Sequence, residues 1–350
     1  MATLGKVLII RFSALGDVAM TIPQVYAVCR AYPDTSFVMV TQKVASTLFI
    51  NAPANLQVYV ADIYARHKGV TGVWRLAREL NALGVETVVD LHDVMRSQYL
   101  RLLLRLMGKR VFVLDKGRAE KKRLVARNGK VKVQLTTSAQ RYAETFVRAG
   151  YPYKENFVSL YNEERGDVTI FSHLTPAKQP GERWIGIAPF AKHEGKIYPL
   201  HLMEQVVARL SREDNIKIFL FGAGEKEAAI LGAWRDKYSH VVSLADTRNG
   251  FPVELSIISY LDVMLSMDSA NMHLAALVNT PVVSIWGATH PYAGFLGYHV
   301  APQNIIETEM PCRPCSVFGN KPCYRGDYAC LNSITPDVVC DKLLSLLLLM

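Results

Sequence analysis

The chain is expected to be an α/β protein of two Rossmann-like domains, each built on a parallel sheet, and three observations lead there. Its 350 residues favour about two domains. Short apolar runs alternate with helical-period stretches along most of the chain. The alternation pauses at a polar stretch carrying Pro and Gly, residues 161–182, and then restarts.

The elements follow in order. Residues 6–12, 36–41, 86–91 and 110–114 read as strands, because their apolar runs are short and continuous like those of strands buried on both faces. Helices are expected between them near 19–31, 73–83 and 94–107. In the second half, strands are expected at 184–189, 216–221, 241–244, 263–267 and 282–286, with helices near 200–210, 225–237, 252–260 and 269–277. This divides the chain into a domain at 1–165, a linker at 166–182, a second domain at 183–334, and a helix at 335–350 returning toward the first domain. Two such sheets would leave a cleft lined by strand ends.

Half of the residues are hydrophobic and a fifth charged, the balance of a globular protein with ample core. The first apolar run is short and broken by Arg11, unlike a signal peptide. The apolar tail is too short to span a bilayer, so a cytoplasmic protein is expected. The net charge of +9 is concentrated. Residues 96–132 hold thirteen Lys and Arg against Asp115 and Glu120, leaving 27 basic and 29 acidic residues elsewhere. Such an insert suits a polyanion: nucleic acid, an anionic membrane face, or a phosphorylated substrate. Nucleic acid is disfavoured, since Tyr99 and Phe112 give no regular stacking pattern and no recognition motif is present.

The candidate chemistry lies at strand ends. The first strand runs into a small-residue turn, Ser13 to Gly16, and then Asp17 at the start of an apolar helix. Asp there serves as a helix cap, as a base, or as both. Neither the dinucleotide fingerprint nor the phosphate-loop motif is present. In the second half, Asp268-Ser269-Ala270-Asn271-Met272-His273 repeats the pattern of strand, acid, small residues and helix, where helix N–H groups can receive phosphate. Lys196 lies in a cation-rich loop and can meet a diphosphate as a mobile point charge. Glu225 follows a Gly turn, where an acid can bind ribose hydroxyls. No D-x-D pair stands at a strand end, so Lys and backbone N–H groups, rather than a metal, would neutralise a diphosphate.

Together these segments resemble glycosyltransferase family 9, the lipopolysaccharide heptosyltransferases, over nearly the whole chain. Arg11-Phe12-Ser13-Ala14-Leu15-Gly16-Asp17 is similar to the family's opening motif, and Asp90-Leu91-His92-Asp93-Val94-Met95-Arg96 to its acceptor-side strand end. Lys196-Ile197-Tyr198-Pro199 resembles its Lys-x-Trp-Pro loop, with Tyr198 in place of Trp. Gly222 to Glu225 and Asp268 to His273 resemble its remaining donor loops, with Ala270 where Gly is usual.

The resemblance implies a GT-B fold and inverting, metal-independent transfer of heptose from ADP-heptose, without a cofactor. Asp17 would be the general base, and Lys196, Glu225, Asp268, Ser269, Ala270 and His273 would bind the donor. Arg11, Ser13, His92, Arg96, Lys121, Lys122 and Arg123 would bind a phosphorylated, Kdo-bearing lipid A acceptor at the inner membrane face. The alternatives are a transferase for another nucleotide-sugar and envelope acceptor, and a non-catalytic binder of anionic lipid.

Cys312, Cys315, Cys323 and Cys330 form a compact set in a Pro-punctuated segment. In a reducing compartment they are candidate ligands of a structural zinc; free thiols are the alternative. Cys29 and Cys340 read as buried small apolar residues.

Overall fold

Apolar runs of three to six residues form the strands of two all-parallel sheets. The computed structural model describes residues 5–247 and 249–349, so Met350, expected in the last helix, lies outside the described residues. One compact unit comprises Met1–Gly117 and Thr136–Leu160; the other comprises Arg118–Leu135 and Tyr161–Met350.

The first unit holds β1 (Lys6–Ile10), β2 (Phe37–Thr41), β3 (Leu56–Val60), β4 (Val85–Asp90) and β5 (Arg110–Val113), in the order β3-β2-β1-β4-β5. Ile10 pairs with Val40 on one side and Asp90 on the other, which brings the carboxyl ends of β1 and β4 together. Leu8, Ile10, Val38 and Val88 pack with Leu76 and Leu80 of the Gly69–Ala82 helix and Leu100 and Leu104 of the Met95–Leu106 helix. The four-residue spacing in each helix places these leucines on the face turned to the sheet.

The second unit holds β6 (Arg183–Ala188), β7 (Ile216–Leu220), β8 (Val241–Ser243), β9 (Val263–Met267), β10 (Val282–Trp286) and β11 (Ile305–Glu307), in the order β11-β10-β9-β6-β7-β8. In each unit the first strand is central. The strand order reverses between β1 and β4 and between β6 and β9. These are the topological switch points where open α/β sheets bind ligands.

The expected linker and the last helix both have packed side chains, and one expected boundary is corrected. In the expected linker, residues 166–182, Phe171 is fully buried, 6.3 Å from Trp184 and 5.4 Å from Tyr260 between ring centroids, and the Tyr260 hydroxyl donates to the Gly166 carbonyl. The last helix, Pro336–Leu347, packs on the Leu200–Leu210 helix of the second unit. Val339, Cys340 and Leu343 pack with Val206, Val207 and Leu210 of the Leu200–Leu210 helix, and Arg209 bridges Asp337 and Asp341. The segment Arg118–Leu135, expected in the first domain, belongs to the second unit. Leu124 and Leu135 bury against Ala293, and the Leu135 N–H donates to the Tyr292 carbonyl. Among the described residues, no helix is long and apolar enough to cross a membrane.

Candidate active site

In the first unit the side chains meet at the switch point. Asp17 is the third residue of the short Leu15–Ala19 helix, not its cap. Its Oδ2 reaches back to accept from the Ala14 N–H at 3.2 Å and pairs with Arg11 at 2.7 Å. The carboxylate thus ties the helix start from the third helical position and is still 35% exposed. Arg11 is buried and also donates to the Leu91 carbonyl, at 2.6 Å, so it links the ends of β1 and β4. Burial works against its charge, but Tyr142 and Asp17 hold its pKa above the usual value.

His92 follows β4. Its Nδ1 accepts from the Phe12 N–H at 3.4 Å, and burial, with Arg11 and Lys116 beside it, pushes its pKa down to about 3. It is a neutral imidazole at pH 7, with Nε2 left as the protonated nitrogen. The loop carrying it is fastened by Asp90, whose Oδ1 accepts from the N–H groups of His92 and Asp93 at 2.9 and 3.0 Å. Arg101 pairs with Asp90 and Asp93 at 2.9 and 3.0 Å. Lys116 donates to the Asp93 carbonyl at 2.9 Å. Ser13 is half-buried in the turn after β1, and Arg96 is half-buried in the first turn of the Met95–Leu106 helix.

A pH dependence follows from His92. Between about pH 6.5, the ordinary imidazole value, and pH 3, the unfolded chain binds a proton that the folded chain does not. Stability present above pH 6.5 is therefore lost as pH falls through that window. Thermal melts of the wild type and His92→Gln should show a shallower pH slope in the variant; equal slopes would contradict the assignment.

In the second unit Lys196 and Asp268 meet across the β6–β9 switch point, with Nζ 2.8 Å from Oδ2. Asp268 is buried and also accepts from the Thr289 hydroxyl at 2.8 Å. The Lys196 stem lies over Gly319, where an added Cβ would stand 2.7 Å from its Cγ and where φ is +74°. Ser269 precedes the Ala270–Leu277 helix without making a side-chain cap; its hydroxyl meets Ser266 at 3.2 Å instead. The first helix N–H groups are thus available to an anion beside the Lys196 ammonium. Ala270 is the first helical residue, a position that does not demand Gly. Tyr198 is fully buried and donates to the Ile334 carbonyl at 2.7 Å. His273 is buried in the same helix.

Not every expected donor residue joins this pair. Glu225 is exposed at the start of its helix, and it is Glu227 that accepts from the Ala223 N–H in the Gly turn, at 2.7 Å. Lys121, Lys122 and Arg123 lie on the Arg118–Leu124 helix of the second unit. Sequence reasoning missed Thr289, Gly319, Arg101 and Arg313. The last is buried and donates to the carbonyls of Trp286, Gly287, Thr289 and Thr308.

The four thiols of Cys312, Cys315, Cys323 and Cys330 line one small cavity of about 10 Å³, and all are free. Among the described residues, His290, Glu307 and Glu309 are the one group whose ligand atoms lie within 4.8 Å of one another. Arg313 and Lys132 already pair with those two carboxylates, which argues against a cation there.

Two Rossmann-like units of parallel sheet and helix make up the GT-B fold seen in solved heptosyltransferases. The sequence profile of glycosyltransferase family 9 (heptosyltransferase) matches residues 73–321, and the chain belongs to that family. A lipopolysaccharide heptosyltransferase 1 of Pseudomonas aeruginosa is 24% identical, covering 89% of this chain and 86% of its own. A lipooligosaccharide heptosyltransferase 2 of Campylobacter jejuni is 21% identical, covering 95% of each. Among solved structures, a family 9 transferase of Veillonella parvula superposes with a TM-score of 0.74 at 16% identity, covering 99% of this chain and 98% of that one. The E. coli heptosyltransferase WaaC with ADP gives 0.66 at 17%, covering 97% and 99%.

Proposed function

We propose that this glycosyltransferase moves a heptose from ADP-heptose to a hydroxyl of a lipopolysaccharide inner-core acceptor of the Kdo-lipid A type, with inversion and without a metal. The observation that carries this reading is the Lys196–Asp268 pair beside an uncapped helix at one switch point. Family membership and the names of the relatives support the donor and acceptor classes.

In this scheme Asp17 takes the proton from the acceptor hydroxyl as its oxygen attacks the anomeric carbon. The bond from that carbon to the diphosphate oxygen breaks through an oxocarbenium-like transition state. ADP leaves carrying the electron pair. Lys196 and the N–H groups of the Ala270–Leu277 helix stabilise the charge that gathers on it. Arg11 and His92 position the acceptor, Arg11 by fixing the Asp17 carboxylate through their ion pair and His92 by offering an uncharged donor.

A transfer assay with ADP-heptose and Kdo-lipid A tests the proposal. The expected product carries one added heptose with inverted anomeric configuration; activity only with another nucleotide-sugar would contradict the donor.

The four thiols are proposed as a structural zinc set on their spacing in the sequence and on the one small cavity they all line, although their sulfurs do not all stand within 4.8 Å of one another. Protein purified under reducing, chelator-free conditions should hold one zinc per chain. A substoichiometric fraction would sink the idea.

A further inference from the structure

We infer that the Arg118–Leu135 segment docks the second unit on a bilayer surface rich in anionic headgroups. In its extended part the alternation is inverted relative to what water favours. Lys130 turns inward and donates to the carbonyls of Cys312 and Pro314 at 2.7 and 2.9 Å, and Lys132 pairs with Glu309. Val131 and Val133, between and after them, point outward and are 45% and 52% exposed. A strand with one face in water ordinarily does the reverse.

Further exposed aromatic side chains lie on the piece that the segment contacts. Phe318 is 55% exposed and stands 5.6 Å from Phe295, over which Lys121 lies at 4.4 Å. Tyr324 is 50% exposed beneath Arg127, at 4.8 Å. The segment carries seven Lys and Arg against one acid, Glu120. Lys122, Arg123, Arg127 and the neighbouring Lys321 are all exposed.

Exposed apolar side chains together with cations, two of them lying over aromatic rings, match the interface of an anionic bilayer, which takes up apolar groups and attracts the charges together. A soluble polyanion would satisfy the cations and leave Val131, Val133 and Phe318 in water. The inference rests on the proposed reading that the acceptor is lipid-borne, and it adds which surface meets the lipid.

The test is co-sedimentation of the full chain with phosphatidylglycerol vesicles and with phosphatidylcholine vesicles, both free of acceptor. Binding should require phosphatidylglycerol and weaken as salt rises. Arg127→Gln and Lys321→Gln should each weaken it about fivefold, and Val131→Ser with Val133→Ser severalfold. All variants should keep the thermal shift given by ADP-heptose, so a failed donor is told apart from a failed surface. Equal binding to both vesicles, no effect of the valine changes, or full competition by a soluble phosphorylated sugar would overturn the inference.

Discussion

Asp17→Asn is expected to lower heptose transfer by about 10²–10⁴-fold, the usual contribution of a positioned general base. The amide keeps the shape of the carboxylate, and its oxygen can still accept from Arg11 and from the Ala14 N–H. The helix start therefore survives, and the melting temperature should move little. Because the side chain lies in the first unit and the proposed donor site in the second, affinity for the nucleotide-sugar should stay within about twofold, well under the 1.4 kcal/mol that a tenfold change represents. Turnover retained at the wild-type rate would remove the base assignment.

The second large effect concerns Lys196. Lys196→Met keeps the stem against Gly319 and removes only the ammonium. Loss of charge stabilisation on a departing diphosphate should cost about 10²–10³-fold in kcat, with weakened donor binding besides. The change also leaves Asp268 buried without its cation, and breaking a buried pair ordinarily destabilises by about 3–5 kcal/mol. The hydrogen bond from Thr289 offsets part of that. Adding Asp268→Asn should restore much of the stability and none of the activity. A double variant as active as the wild type would show that the pair is structural only.

Much of this architecture is legible in the amino-acid sequence because the elements carrying the site are strongly patterned. The strands β9 and β10 and the helices Leu200–Leu210 and Glu225–Lys237 begin and end where apolar runs and helix periods say they should. Arg11, His92 and Asp268 stand just past strand ends, and Asp17 and Lys196 lie on the segments that follow β1 and β6, the side on which parallel sheets place ligands. β3 and β11 escaped notice: Leu56–Val60 is only partly buried, and Ile305–Glu307 has three residues.

Thr289 and Gly319 join the Lys196 site only through contacts far along the chain, and no local pattern marks them. The same holds for the allegiance of Arg118–Leu135. It is set by Leu124 and Leu135 against Ala293 and by Lys130 on the cysteine loop, whereas charge alone suggested only that the segment was cationic.

Calorimetric titration of ADP-heptose into the protein without acceptor tests the central claim most directly, because it separates donor recognition from the chemistry of transfer. Saturable binding of one donor per chain is expected in the wild type, unchanged in Asp17→Asn and strongly weakened in Lys196→Met. No binding to the wild type, or binding lost with Asp17 and kept without the Lys196 charge, would contradict it.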